Sequence, residues 1–253
     1  MSGNGKRRAD TVVWISGATK GVGAGLARTV PYPDARIINM SRGTAGQLEN
    51  IPLDLSVPAD WERAAESMAK ELRQFDGSRV VFVHNAFMEG PYGYAGEVDK
   101  GRVREHLIAN HAAALWLGNA FLEAVPPGLE STLAMVSSLS AKIPMEGASF
   151  YSASKAGIEM WVRTVALERR RRGVGPRVIG FRLGLVESPG VHHIAEVDPR
   201  DCPAAGATRD SIGRGEPMPA EQAGRQMWGH ITEPSEAGPI FEIGTLPATI
   251  KNY

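Results

Sequence analysis

The 253-residue chain carries 28 Lys/Arg against 28 Asp/Glu, and 43% of its residues are hydrophobic. Balanced charge gives no global field toward nucleic acid or an anionic membrane, and the apolar content suffices for a core in one large domain or two small ones. No apolar run approaches the roughly 20 residues of a membrane span, and the single cysteine, Cys202, excludes an intrachain disulfide and fits a reducing cytoplasm.

The basic start, Met1 to Arg8, precedes only a short apolar run, so residues 1–10 read as a disordered tail rather than a secretion signal. Thr11–Ile15 then reads as a buried strand and Val22–Val30 as a helix opened by glycines. Arg36–Met40 and a short Asn50–Leu53 are the next strands. Pro58–Phe75 is helical, with Pro58 near its first turn and Trp61, Ala64, Ala65, Met68 and Leu72 on one face. Arg79–His84 is a fourth strand, and Gly101–Val125 a long helix stopped by Pro126-Pro127. Thr132–Val136 is a strand, Phe150–Arg172 a helix ended at Gly173, and Val178–Arg182 a strand. Pro219–Ile231 is a helix and Ile240–Ile243 a last strand. This alternation predicts an α/β fold: a Rossmann-type, doubly wound parallel sheet with helices on both faces, forming one domain over residues 11–253. Glu187–Pro219 is rich in Gly, Pro, Asp and Arg and lacks periodicity, which predicts a long loop acting as a mobile lid over a substrate site.

Directly after the first strand comes Ser16-Gly-Ala-Thr-Lys-Gly-Val-Gly23. A strand, glycines and a helix start form an arrangement that binds a pyrophosphate. Gly17 allows the tight turn, Gly21 and Gly23 let main-chain N–H groups approach an anion, and Thr19, Lys20 and Val22 complete the cradle. The alternative is an ordinary glycine-rich loop. A ribose is read at the end of the second strand, where an acid would repel a 2′-phosphate. Here Ser41-Arg42 stands there, and Lys20 adds a second positive charge. The pair predicts NADP(H) in preference to NAD(H), unless Arg42 is only a solvated surface charge. Asp54, with Leu55 beside it, is placed to accept from an adenine amino group, or simply to close a turn.

Tyr151 and Lys155 lie one helical turn apart, and Ser138 thirteen residues before the tyrosine. Hydride transfer to a ketone leaves negative charge on oxygen, which a nearby phenol can quench. The lysine's charge, with that of an oxidised nicotinamide, would favour phenolate. Ser138 can hold the substrate oxygen, and Asn110 a water linking Lys155 to solvent. Singly, each residue has a plain structural role open to it: a chance helical pair, a turn serine, an amide satisfying buried backbone.

Taken together, SGATKGVG at 16–23, Asp54, Asn85-Ala86, Asn110, Ser138, YSASK at 151–155 and LGLVES at 183–188 resemble the short-chain dehydrogenase/reductase family, in its compact single-domain branch. The resemblance implies Tyr151, Ser138, Lys155 and Asn110 as a catalytic tetrad. It also implies Gly17 to Gly23 at the pyrophosphate, Asn85-Ala86 beside the riboses, Lys155 at the nicotinamide ribose, and Gly184, Val186 and Ser188 near the carboxamide. His84 and Phe87 replace the family's usual Asn and Gly, and Leu183-Gly184 its Pro-Gly. The segment Ser137 to Lys155 is also similar to sepiapterin and benzil reductases. The activity implied is interconversion of a ketone and a secondary alcohol, with tyrosine as proton donor or acceptor. Alternatives are a catalytically silent NADP-binding sensor or scaffold, an NAD-dependent alcohol dehydrogenase of the same family, or a nucleotide-sugar epimerase. Homodimers or homotetramers through the two long helices follow from the same resemblance.

Tyr92, Tyr94 and Met145 are candidates for the substrate pocket, whose aromatic and apolar lining predicts a bulky or hydrophobic carbonyl. His192, His193, Asp198, Asp201 and Cys202 fit no common zinc spacing, so no metal is expected. Arg169 to Arg172 complement a helix C-terminus, and no aromatic interleaving supports nucleic-acid binding.

Overall fold

In the computed structural model, which describes residues 9–233 and 238–244, the apolar runs form seven strands: β1 (Thr11–Ser16), β2 (Arg36–Ser41), β3 (Glu49–Pro52), β4 (Arg79–His84), β5 (Glu130–Ser138), β6 (Arg177–Leu183) and β7 (Ile240–Ile243). They make one parallel sheet in the order β3-β2-β1-β4-β5-β6-β7. Most of the expected tail, residues 1–8, lies outside the described residues. Each central strand is buried on both faces, and its alternate residues enter two cores. Val12 and Trp14 of β1 pack with Phe82, Phe121 and Met68, while Val13 and Ile15 pack with Leu26, Phe181 and Met227. The first core is covered by α2 (Pro58–Gln74), α4 (Ala113–Ala124) and α5 (Ser149–Arg172), the second by α1 (Gly21–Arg28) and α8 (Ala220–Thr232). Trp228 of α8 donates its indole N–H to the Leu26 carbonyl (2.9 Å), fixing α8 on α1.

Strand order reverses between β1 and β4, whose last residues Ser16 and His84 are register partners. Such a switch point opens a crevice at the carboxyl ends of the strands. The glycine turn after β1, the end of β5 and the start of α5 all border it.

Two expectations change. The segment Gly101–Val125 is not one regular helix: α3 (Lys100–Leu107) and α4 are joined by a π-helical turn, Ile108–Ala112, which contains Asn110. One extra residue in the turn rotates α4 relative to α3, a device found often at functional sites. The segment Glu187–Pro219 is not an irregular loop either. It folds into α6 (Pro189–Glu196) and α7 (Ala204–Gly213) and is tied back by a bridge between Val186 and Met218. Ser188 caps α6, with Pro189 in its first turn, a start signal that the surrounding Gly and Pro residues masked. No described helix is long and apolar enough to cross a membrane.

Candidate active site

A cavity of about 1210 Å³ runs along the crevice from Gly17–Val22 past Ser41–Gly43, Leu53–Ser56 and Asn85–Ala86 to Ser138, Tyr151 and Lys155, and on under α6 and α7. At its first end the chain leaves β1 through Gly17, whose φ of 74° is left-handed. A Cβ on Gly23 would lie 2.0 Å from the Gly17 carbonyl oxygen, so only glycine lets helix α1 approach the turn this closely. Asn39 of β2, fully buried, holds the turn from below. Its Oδ1 accepts from Ala18 N–H (3.0 Å), and its Nδ2 faces Ser41 Oγ, the Gly43 carbonyl and Asn50 Oδ1. Ser16 Oγ accepts from both Asn85 and Ala86 N–H (2.9 Å each), which leaves its proton for His84 Nδ1 at 3.2 Å. His84 is thereby fixed as the Nε2–H tautomer. Burial, aided by the charge of Lys155, pulls its pKa down to about 3 and keeps it neutral.

At the second end, Tyr151 and Lys155 occupy the first turns of α5, and Ser138 ends β5. Ser140 N–H donates to Ser138 Oγ (3.3 Å), and Ser138 lines the cavity with Tyr151. Lys155 is buried, and its Nζ donates to the Val136 carbonyl (2.9 Å). Desolvation brings its pKa down from 10.5 to about 8. The same desolvation raises the Tyr151 phenol above its ordinary value, against the opposing pull of Ser138. Phe87 stands between these groups and α6, its ring centroid 5.4 Å from Lys155 Nζ and 6.0 Å from the Tyr151 ring.

The cavity wall includes Gly17, Thr19, Lys20, Gly21, Val22, Ser41, Arg42, Asp54, Leu55, Asn85, Ala86, Gly184, Val186 and Ser188, with Tyr92 and Met145 at the far end. Three expected residues are placed differently. Gly23 is buried beneath the turn and shapes it without facing the cavity. Tyr94 lies outside the cavity, exposed, donating to Glu146 (2.8 Å), because the chain turns outward after Tyr92. Asn110 lies behind the wall. Its Oδ1 accepts from Met88 N–H (2.6 Å) and its Nδ2 donates to the Met88 carbonyl (2.7 Å), so the side chain clamps the loop after β4 rather than reaching toward Lys155. Asp54 Oδ1 accepts from Ser56 N–H and Oγ (2.9 and 2.7 Å), and Oδ2 lies 4.0 Å from Arg42. Burial pushes its carboxyl up, but Ser56 and Arg42 together outweigh this and hold it below the usual range.

The short chain dehydrogenase family matches residues 11–198. The chain belongs to that family. It is accordingly an oxidoreductase. The chain is 26% identical over 179 residues to the benzil reductase ((S)-benzoin forming) of Bacillus subtilis, covering 69% of this chain and 74% of the relative. Among solved structures it resembles a short chain dehydrogenase from Burkholderia cenocepacia in complex with NADP (TM-score 0.71, 18% identity, 94% of this chain and 90% of that one). It also resembles an actinorhodin polyketide ketoreductase with NADPH (TM-score 0.74, 20% identity, 96% of this chain and 98% of that one).

Several residues of this short-chain dehydrogenase's site escape sequence reading. His106 is fully buried, with Nδ1 against the Gly90 carbonyl and 3.0 Å from Asn110 Nδ2, and Nε2 3.5 Å from Ser154 Oγ. It joins the loop after β4, the π turn and α5, and burial lowers its pKa. Glu159, one turn beyond Lys155, accepts from Ser137 Oγ and from Arg182 Nε (2.9 Å each), and Arg182 also bonds Glu242 (2.7 Å). This buried chain pins α5 to β5, β6 and β7 beside Ser138. Its only sequence signal is spacing: Glu159 is four residues from Lys155, and Ser137 adjoins Ser138. Among the described residues no group of three His, Cys, Asp or Glu is placed to hold a metal ion. His192 pairs with Glu187, His193 faces Glu89 at 3.8 Å, and Asp198 binds Arg200.

Proposed function

We propose that the chain is an NADP(H)-dependent reductase of a bulky, largely apolar ketone, running as a secondary-alcohol dehydrogenase in reverse. The observation that carries this is a single cavity that joins a glycine turn, flanked by Lys20 and Arg42, to Ser138, Tyr151 and the buried Lys155. The dinucleotide fits the first end, where Gly17 and Gly21 line the cavity without side chains and Gly23 lets α1 pack against the turn. Thr19, Lys20 and Ser188 would hold its phosphates and carboxamide, and Arg42 a 2′-phosphate that no acid repels. The NADP and NADPH bound by the Burkholderia dehydrogenase and the actinorhodin ketoreductase support the preference.

When bound, the nicotinamide supplies the hydride. The protein handles the proton. With its pKa raised, the Tyr151 phenol stays protonated at neutral pH and is available to the carbonyl oxygen as a donor. Ser138 Oγ, already fixed by Ser140 N–H, positions that oxygen. Below about pH 8 Lys155 is an ammonium, stabilising the phenolate left after transfer. Helices α6 and α7 cover the substrate end, where Met88, Ile143, Met145 and Ile194 supply apolar surface. Met160 and Leu167 on α5 and Trp116 on α4 are exposed, which supports assembly through these helices.

The test is NADPH oxidation with a panel of ketones, diketones and aldehydes, comparing wild type with Tyr151→Phe. Turnover that falls at least about 1,000-fold in the variant, with NADPH affinity retained, is the expected result. Tight NADPH binding without turnover across the panel would replace the reductase reading with a sensor.

A further inference from the structure

We propose that Phe87 is a specificity-determining residue. Its ring is the wall beside the Tyr151 ring against which a flat, conjugated carbonyl lies, so the enzyme favours aryl ketones over saturated ones of the same size. This rests on the ketone-reductase reading and adds the substrate class and the residue that selects it.

The position follows from the strand. Three residues beyond the end of β4, the chain has just been fixed by Ser16 through the Asn85 and Ala86 N–H groups, and one residue later it is clamped by Asn110 at Met88. Phe87 thus sits on backbone held from both sides. Its ring is tilted 53° to the Tyr151 ring with the centroids 6.0 Å apart, within the contact range of aromatic pairs. Lys155 Nζ faces it at 5.4 Å, so the ring's negative face meets the one buried ammonium of the cluster. On the opposite side lies α6, where a Cβ on Gly190 would stand 2.9 Å from Phe87 Cζ. The glycine leaves the room that the ring fills, and the ring is held between the catalytic helix and the cover.

A ring so held should be buried, yet Phe87 is 39% exposed, and it lines the cavity. An aromatic ring that lines the cavity beside Tyr151 with this much exposed surface gains from an apolar partner. A flat one gains more, because aromatic pairs contribute beyond the area they bury. Ile143, Met145 and Ile194 complete the same chamber with aliphatic and thioether surface, which accepts bulk without selecting for planarity. Among the described ring pairs, the one that includes Tyr151 is with Phe87, while Tyr92 stands at the far end of the wall, so discrimination between a planar and a puckered substituent beside Tyr151 falls to Phe87.

The experiment compares kcat/KM for acetophenone and cyclohexyl methyl ketone with NADPH, in wild type, Phe87→Leu and Phe87→Trp. Leucine keeps an apolar side chain and removes the ring; tryptophan keeps an aromatic face. Any effect through Lys155 acts on both ketones alike, so the ratio of the two kcat/KM values is the readout. Wild type should favour the aryl ketone. The ratio should fall about tenfold in Phe87→Leu and be largely retained in Phe87→Trp. A ratio unchanged in Phe87→Leu, or a wild type without aryl preference, overturns the role of Phe87 while leaving a working reductase. NADPH binding with turnover of neither ketone by wild type overturns the reductase reading and this inference with it.

Discussion

The two ends of the cavity are made of different materials. At the glycine turn the polar side chains are spent inward, Asn39 on Ala18, Ser41, Gly43 and Asn50, and Ser16 on Asn85, Ala86 and His84. The cavity there meets main chain and the exposed charge of Arg42, 80% accessible. At the Tyr151 end the reactive groups are themselves withdrawn from water, and Tyr151, Lys155 and His106 all have displaced pKa values with burial as the largest cause. On the proposed reading, one end recognises by shape and solvated charge, which costs the fold little. The other obtains its chemistry by desolvating ionisable groups, which costs stability.

The largest expected effect breaks that contrast at Lys155. Lowering its pKa from 10.5 to about 8 means that folding disfavours the ammonium by about 3 kcal/mol at neutral pH. Lys155→Met removes that cost and forfeits one hydrogen bond to Val136, worth about 1 to 2 kcal/mol. The variant should lose at least about 1,000-fold in kcat yet melt at the same temperature or a few degrees higher, by calorimetry. In wild type, kcat/KM for ketone reduction should hold below about pH 8 and fall above it as the ammonium is lost. A variant that loses melting temperature together with activity would mean that Lys155 is a structural residue.

A smaller effect sharpens the comparison at the junction of the two ends. His84 has a folded-state pKa of about 3 against 6.5 in the unfolded chain, through burial first and the Lys155 charge second. Between those values the unfolded chain binds the extra proton, so this contribution to stability is complete above pH 6.5 and is lost as pH falls toward 3. By pH 4.5 the loss should reach about 2 to 3 kcal/mol. In His84→Asn an amide oxygen can replace Nδ1 as the acceptor for Ser16, without a titrating group. Urea midpoints at pH 7 and 4.5 should therefore differ less in the variant than in wild type. An equal drop in both would place the acid sensitivity elsewhere.

The same division governs what was legible in the sequence. The strands, the glycine turn and the Tyr151–Lys155 spacing are local patterns, and period, turn chemistry and helical spacing carry them without tertiary information. The doubly wound class followed from alternation and the handedness of crossovers. What stayed hidden is set by tertiary contact. Asn110 was visible as a residue, but its two bonds to Met88 depend on a π turn that no periodicity announces. Tyr94 lies two residues from Tyr92, and only the path of the loop sends one inward and the other out. The pull of burial on the Tyr151 phenol could not be weighed before the depth of the cleft was known. Helices α6 and α7 hid behind Gly and Pro that serve as their starts and stops.

The smallest effect tests the solvated end. Arg42 lines the cavity beside Ser41, 80% exposed and 4.0 Å from Asp54. A contact made by an exposed guanidinium is screened, so its removal should be modest compared with the loss of a buried group. Arg42→Ala should weaken NADPH binding about tenfold and leave NADH nearly unchanged, and adding Lys20→Ala should widen the gap. Titration of both cofactors by fluorescence at low and high salt separates this from a general disturbance of the turn. Salt should erode the NADPH advantage of wild type toward the value of the double variant, because a charge at the rim acts through solvent. Equal losses for NADPH and NADH would show instead that Arg42 supports the Asp54 turn, and that neither Lys20 nor Arg42 reads a 2′-phosphate.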